Sequence, residues 1–229
     1  MTGFLASIKN MEEASKITSS NIDIVDLKNI NDGALGFVGV EVVNKVKKIL
    51  PNFNLSVTMG NDENPNNPIN IENLRELIDK DIKFVKIGFF NKKFINQHKL
   101  LLNSINFKST LPICVIFADK TFDLKIIQKL IDIGYEGVMI DTCSKNNKST
   151  TDILGENQIK SFIKIVKDNK KLCGLSGSLK IKDIDYLKYL NPHFLGFRGQ
   201  LCDKASERIE LNIDLLNKVS KEIKSIINT

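Results

Sequence analysis

The chain has 229 residues, 42% of them apolar and 26% charged, with a net charge of +6. That basic excess does not read as a nucleic-acid surface, because arginine occurs only at Arg75, Arg198 and Arg208 and the lysines are scattered without a run of five or more. No apolar stretch approaches the ~18 residues of a membrane span and no secretory leader is recognisable, so no membrane is expected and the cytoplasm is the expected compartment.

Short β-branched apolar runs alternate with amphipathic stretches from end to end. Runs of that kind read as buried strands. In chain order they cover residues 3–8, 22–28, 55–60, 84–88, 113–118, 137–141, 172–177 and 194–199. Helical periodicity marks residues 40–50 and 124–133, the latter closed by Gly134, then 158–166. A last helix is predicted from about 207 to 227, with Ile209, Ile213, Leu216, Val219, Ile223 and Ile226 on one face. Eight β-α repeats without a linker predict a single (β/α)8 TIM barrel over residues 1–229. An open doubly wound sheet is the alternative, but it calls for a glycine-rich first βα turn, and here that turn is Lys9-Asn10-Met11. The third βα loop, residues 61–68, is polar and rich in Asn and Pro, and is expected to form a rim or lid. Cys114 and Cys173 fall in strand runs as packing residues. No cysteine pair has Cys-x-x-Cys spacing and none clusters with His98 or His193, so no zinc site is expected.

Three lysines stand at or just beyond strand ends: Lys28, Lys86 and Lys145. A lysine is costly inside a sheet without a partner or a task. Side chains alternate across a strand. Ile22, Ile24, Asp26 and Lys28 therefore share one face, while Phe84 and Lys86 share a face, as do Met139 and Asp141. The opposite faces are Val-, Leu- and Ile-rich and should pack on helices. That aims Asp26, Lys28, Lys86 and Asp141 into the barrel on its second, fourth and sixth strands, and alternate strands supply one interior layer. Asp23 falls on the other face, as a helix-facing or capping residue. Lys145 follows on the loop above the sixth strand. Barrel active sites lie at this end.

A nucleophilic amine must be neutral part of the time. A free lysine titrates near ~10.4, and bringing it to ~7.5 takes roughly 4 kcal/mol. One ammonium at ~5 Å supplies roughly 3 kcal/mol of this at an effective dielectric of ~20. Asp26 and Asp141 act the other way. One lysine kept neutral for attack and another kept charged for proton or phosphate duty is a coherent division. Imine chemistry on a phosphorylated carbonyl compound is the expected reaction class. Snorkelling lysines paired with carboxylates are the structural alternative.

Two glycine-bearing loops follow the seventh and eighth strands, where barrels often hold phosphate with backbone amides. The first offers Ser176, Gly177 and Ser178, and the second offers Arg198, a planar donor, and Gly199. The loop after the second strand, residues 29–36, also carries glycines and could order the substrate or form a structural turn.

The ordered set Asp26-Leu-Lys-Asn-Ile-Asn-Asp-Gly-Ala-Leu-Gly36, Val85-Lys-Ile-Gly88, Asp141-Thr-Cys-Ser-Lys145, Gly174-Leu-Ser-Gly-Ser178 and Arg198-Gly199 resembles the (5-formylfuran-3-yl)methyl phosphate synthase family, also called 4-(hydroxymethyl)-2-furancarboxaldehyde-phosphate synthase. The resemblance spans nearly the whole chain. It implies a barrel lyase that joins two molecules of glyceraldehyde 3-phosphate, losing one phosphate and two waters, and that supplies methanofuran-type one-carbon carriers. It implies a Schiff base at Lys28, acid/base work at Lys86, and Asp141 and Lys145 as further site residues. No cofactor or metal is expected, because an iminium already does the work of a Lewis acid. The expected partner is a small phosphorylated substrate, and the fold also admits homo-oligomers. The sequence departs from the family at Ile30, where Pro is usual, at Ala34, where Ser is usual, and after Gly199, where small residues give way to Gln-Leu-Cys-Asp-Lys. A class I aldolase or isomerase of triose phosphates, and a non-catalytic phosphate-metabolite binder, are the other readings.

Overall fold

The structure, a computed structural model, describes residues 2–144 and 148–225. Eight parallel strands close on themselves in sequence order: β1 (Gly3–Ile8), β2 (Ile24–Leu27), β3 (Asn54–Thr58), β4 (Phe84–Gly88), β5 (Leu111–Phe117), β6 (Gly137–Asp141), β7 (Leu172–Leu175) and β8 (Phe194–Phe197). The register closes with Gly3 beside Phe194 and Ala6 beside Phe197. The helices are α1 (Met11–Lys16), α2 (Val40–Ile49), α3 (Pro68–Asp79), α4 (Ile95–Ser104), α5 (Leu124–Asp132), α6 (Thr150–Ile153), α7 (Glu156–Asp168), α8 (Ile184–Tyr189) and α9 (Ile213–Lys224). None is long and apolar enough to cross a membrane among the described residues.

Strand alternation divides the core into two shells. Val25, Leu27, Val85, Ile87, Cys114, Ile116, Val138, Ile140 and Cys173 face the helices, and Leu5, Ile24, Phe84, Ile113, Val115 and Met139 fill the barrel. Each such side chain contributes roughly 1.5–3 kcal/mol by leaving water. Polar side chains also point inward on β1 to β4: Ser7, Asp26, Ser56, Thr58 and Lys86, all buried.

The filling of the barrel is lopsided, and this positions the site. Above β4 and β5, Phe90 stacks on Phe117 with ring centroids 4.8 Å apart, beside Ala34 and Leu35. That plugs one half of the mouth. On the other half, β7 and β8 point Gly174 and Gly196 inward. A methyl group at Gly196 would lie 2.9 Å from Met139 Cε, and one at Gly174 would lie 3.0 Å from Met139 Cγ. Met139 occupies the space those side chains would need, and the barrel opens above it.

The loop of residues 29–36 is a closed turn. Asn29 N donates to Gly36 O at 2.8 Å, and the same carbonyl accepts from Thr58 Oγ1 at 2.7 Å. Residues 61–68 form a rim tied to that turn, with Asn61 Oδ1 accepting from Leu35 N and Asn61 Nδ2 donating to Asp32 O. Asp23 faces the helices as expected, accepting from Phe4 N and from Lys224 Nζ on α9, each at 2.6 Å.

The last helix is shorter than its periodicity predicts. Asn212 caps it by accepting from Leu215 N at 3.0 Å, so α9 begins at Ile213. Before it, Cys202 pairs antiparallel with Leu211, and Ile209 is exposed rather than on the buried face. Carbonyls of residues 208 and 209 are drawn to the Arg198 guanidinium, which holds this stretch out of helical geometry. Ile226 lies outside the described residues.

His98 on α4 is fully buried against Phe89, with Nδ1 2.6 Å from Tyr135 Oη and no partner at Nε2 among the described residues. Burial lowers its pKa to about 4. An unfolded histidine titrates near ~6.5, so the unfolded chain takes up this proton first. Neutral His98 thus contributes stability above pH ~6.5 that is lost as the pH falls towards 4, on the order of 3 kcal/mol in all. His98→Phe should remove that portion of the acid sensitivity, measured as urea midpoints between pH 7 and pH 4. An unchanged pH profile in the variant would sink the assignment.

Candidate active site

Asp26 is the polar centre of the barrel. Its Oδ2 accepts from Lys86 Nζ at 2.6 Å and Ser7 Oγ at 3.0 Å, and its Oδ1 accepts from Ser56 Oγ at 2.7 Å. Both charges are nearly sealed, with side-chain exposures of 4% for Lys86 and 0% for Asp26. A buried pair stands only when its remaining hydrogen-bonding capacity is also met. The two serines meet it on the carboxylate. The inward phase of β1, β2, β3 and β4 brings all four groups together.

Lys28 sits one residue beyond β2, with its Nζ 3.9 Å from Asp141 Oδ2, too far for a hydrogen bond. Asp141 instead accepts from the Thr142 amide at 2.7 Å. Burial pushes the pKa of Lys28 down from the ordinary lysine value. Asp141 opposes this, the Lys86 ammonium adds to it, Asp26 opposes it, and Arg208 adds to it. One lysine is therefore tightly paired while its neighbour is buried, loosely paired and biased towards the neutral amine. That is the environment in which a lysine acts as a nucleophile.

Above the lysines an open cleft is lined by Ser7, Lys28, Lys86, Asp141, residues 176–179, residues 196–199 and Arg208. The loop after β7 is drawn against its neighbours: Thr150 Oγ1 donates to Ser176 O at 2.6 Å, and Thr150 N to Gly177 O at 2.9 Å. Gly177 has φ +88°, and a Cβ there would lie 2.5 Å from Thr150 Oγ1. Ser178 follows at φ +52°. The loop after β6 is held by Asp119, whose two oxygens accept from Cys143 N and Ser144 N. Lys145 lies outside the described residues.

The structure brings Asp26, Lys28, Lys86, Asp141, Ser176, Gly177, Ser178, Arg198 and Gly199 to one end of the barrel, but Arg198 is differently employed from the expectation. It lines the cleft, yet its guanidinium is buried and grips Glu13 through both terminal nitrogens, at 2.6 and 2.9 Å. The cation that reaches the loop after β7 is instead Arg208, whose Nη2 donates to Ser178 Oγ at 2.8 Å. Sequence reasoning missed Arg208 because it fell within a predicted helix. It missed Ser7, although the alternation of β1 points to it. Glu13 carried a signal, the Asn10-x-x-Glu13 spacing of a reciprocal helix cap. Asn10 Oδ1 accepts from Glu13 N, while Glu13 Oε2 accepts from Lys9 N and from Arg198. Among the described residues, no group of three or more metal-binding side chains occurs.

Solved structures show the same barrel. Phosphoribosyl anthranilate isomerase from Thermus thermophilus superimposes with a TM-score of 0.64 at 9% identity, covering 97% of this chain and 98% of the other. At that identity the likeness concerns the fold alone. Curated relatives are nearer in sequence. The (5-formylfuran-3-yl)methyl phosphate synthase of Methanosarcina acetivorans is 26% identical, covering 95% of this chain and 97% of the relative. The protein of the same name from Methanococcus aeolicus is 29% identical, covering 86% and 89%. The family profile described as 4-HFC-P synthase matches residues 4–220, from the second residue of β1 into α9, and the chain therefore belongs to the 4-HFC-P synthase family.

Proposed function

We propose that this protein condenses two molecules of glyceraldehyde 3-phosphate into (5-formylfuran-3-yl)methyl phosphate, with release of one inorganic phosphate and two waters. The observation that carries the reading is the pairing of two unlike lysines in one cleft: Lys86 held at 2.6 Å by Asp26, and Lys28 buried beside it with no carboxylate in hydrogen-bonding range among the described residues. Lys28 Nζ attacks the carbonyl of the first triose phosphate, and loss of water gives an imine. The imine acidifies the adjacent C–H, and Lys86 moves the proton. The resulting enamine carbon bonds to the aldehyde carbon of the second molecule. Elimination of phosphate, ring closure and dehydration give the furan, and aromaticity drives the last steps. Hydrolysis of the imine consumes one water, balancing the one lost when it formed, and frees Lys28. Ser176, Gly177, Ser178 and Gly199 surround the phosphate, and Asp141 orients Lys28. The product is a precursor for methanofuran-type carriers.

The test is to incubate the pure protein with glyceraldehyde 3-phosphate and follow products by mass spectrometry. A six-carbon furan aldehyde with one phosphate, and one free phosphate per furan, is the expected result. Hexose or isomerised triose phosphates alone would make the protein an aldolase or isomerase, and unchanged substrate would make it a binder.

The electrostatics of Lys28 give a further expectation. Asp141 favours the ammonium form, so Asp141→Asn should let Lys28 lose its proton at still lower pH. The ascending limb of kcat/KM against pH should move down in that variant. A limb that stays in place or moves up would show that Asp141 does not act on Lys28.

A further inference from the structure

Two of the chain's three arginines meet at the mouth of the barrel, and they are in opposite states. Every nitrogen of Arg198 is engaged. Nε donates to Arg208 O at 3.0 Å, and Nη1 donates to Ser7 O and Glu13 Oε2. Nη2 donates to Glu13 Oε1, Arg208 O and Ile209 O. Arg208 makes one side-chain bond to a protein group among the described residues, from Nη2 to Ser178 Oγ, and it lines the cleft. A guanidinium carries five N–H donors in a planar fork suited to phosphate.

The backbone explains how Arg208 comes to point there. Its φ is +59°, an uncommon conformation for a residue with a side chain. Its carbonyl accepts from two nitrogens of Arg198, and its amide donates to Lys204 O at 3.0 Å. The buried Glu13–Arg198 pair thereby pins the peptide of Arg208 and turns its side chain back over the barrel. Arg208, Ser178, Leu179 and Gly199 also line a second, outer cleft, so Arg208 stands on the partition between the lysine chamber and the exterior. Among the described residues, no protein group accepts from the amides of Ser178 or Leu179. Those amides and the open donors of Arg208 border one space.

We propose that Arg208 is the specificity-determining residue for the phosphomonoester of the substrate: it leaves the Ser178 hydroxyl and pairs bidentately with phosphate oxygens seated on the loops after β7 and β8, while Arg198 and Glu13 act as positioning residues that present it. This rests on the reading that the substrate is a phosphorylated aldehyde reaching Lys28. The reacting carbonyl then lies inward, towards Lys28, and the phosphate at the threshold.

The test uses the full chain and two probes. Binding of inorganic phosphate is measured by calorimetry, and glyceraldehyde without a phosphate is trapped on Lys28 with borohydride. Arg208→Met should weaken phosphate binding and raise KM for glyceraldehyde 3-phosphate, each roughly tenfold or more, the usual scale for a lost charged hydrogen bond. Trapping of glyceraldehyde should persist, moved at most to slightly higher pH, because Arg208 is the smallest of the contributors that lower the pKa of Lys28. Arg208→Lys, which keeps a charge and loses the fork, should fall between. Undiminished phosphate affinity in Arg208→Met would overturn the proposal, as would a fall in kcat at constant KM together with lost glyceraldehyde trapping. A wild type that binds phosphate through Arg208 but makes no furan would sink the synthase reading alone. A wild type that makes furan, with phosphate affinity indifferent to Arg208, would sink this proposal alone.

Discussion

Lys28→Ala should abolish furan formation, by roughly a thousandfold or more in kcat, the scale seen when a covalent nucleophile is removed. The same variant should melt within about 3 °C of the wild type, since a change of ~1 kcal/mol moves the midpoint of a chain this size by only ~2–4 °C. The side chain is 12% exposed and opens onto the cleft, and its one ion pair, at 3.9 Å, is loose. Removing a buried, loosely paired amine offsets the lost contacts of its methylenes. The decisive reading is covalent. With glyceraldehyde 3-phosphate and borohydride, the intact wild type should gain the mass of a reduced adduct, and Lys28→Ala should gain none. Lys86→Ala should still trap substrate while failing to turn over, as the proton-transfer role proposed for Lys86 requires. If Lys28→Ala kept near wild-type activity, or if Lys86→Ala were the variant that lost the adduct, the roles assigned to the two lysines would be wrong.

Asp26→Ala should cost about 3–5 kcal/mol of stability, the usual penalty for stranding a buried charge. Lys86 would keep a 4%-exposed ammonium without its partner at 2.6 Å, and the hydroxyls of Ser7 and Ser56 would lose their acceptor. Against a total of ~5–15 kcal/mol, that is a large share, and a midpoint lower by roughly 10 °C is expected. The double variant Asp26→Ala with Lys86→Met removes both charges and should recover most of the loss while remaining inactive. Thermal melts of the four proteins in this cycle give the coupling directly. A single variant as stable as the wild type, or a double variant no better than Asp26→Ala, would show that the pair is not the buried contact described.

Much of this architecture follows from local pattern. Eight β-branched runs with amphipathic stretches between them leave few packings other than a closed parallel barrel, since each strand hides both faces and each helix one. The period of two within those runs assigns directions as well. Ile24 and Asp26 point inward together, and Val25 and Leu27 outward, because neighbouring residues on a strand cannot share a face. The observed ends differ from the runs by a residue or two, as at β2, where Lys28 already belongs to the loop although its amide still donates to Ile8 O.

Other features depend on residues far apart in the chain. Arg198 could be read as a phosphate donor because its loop stands at the right strand end. What captures it is Glu13, 185 positions away, and no local spacing records that contact. Arg208 was hidden by a hydrophobic period that runs on through Ile209, and the Asn212 cap and the pull of Arg198 on its carbonyl override that period. The side of the barrel that opens is likewise a matter of volume. Phe90 over Phe117 closes one half, and Gly174 and Gly196 make room for Met139 beneath the other. Local sequence carries the order of the strands and the inward direction of Asp26, Lys28, Lys86 and Asp141, because backbone geometry is periodic. Which of those charges is matched, which is left loose, and which arginine faces the cleft depend on close packing between distant segments, where a difference of one ångström changes the partner.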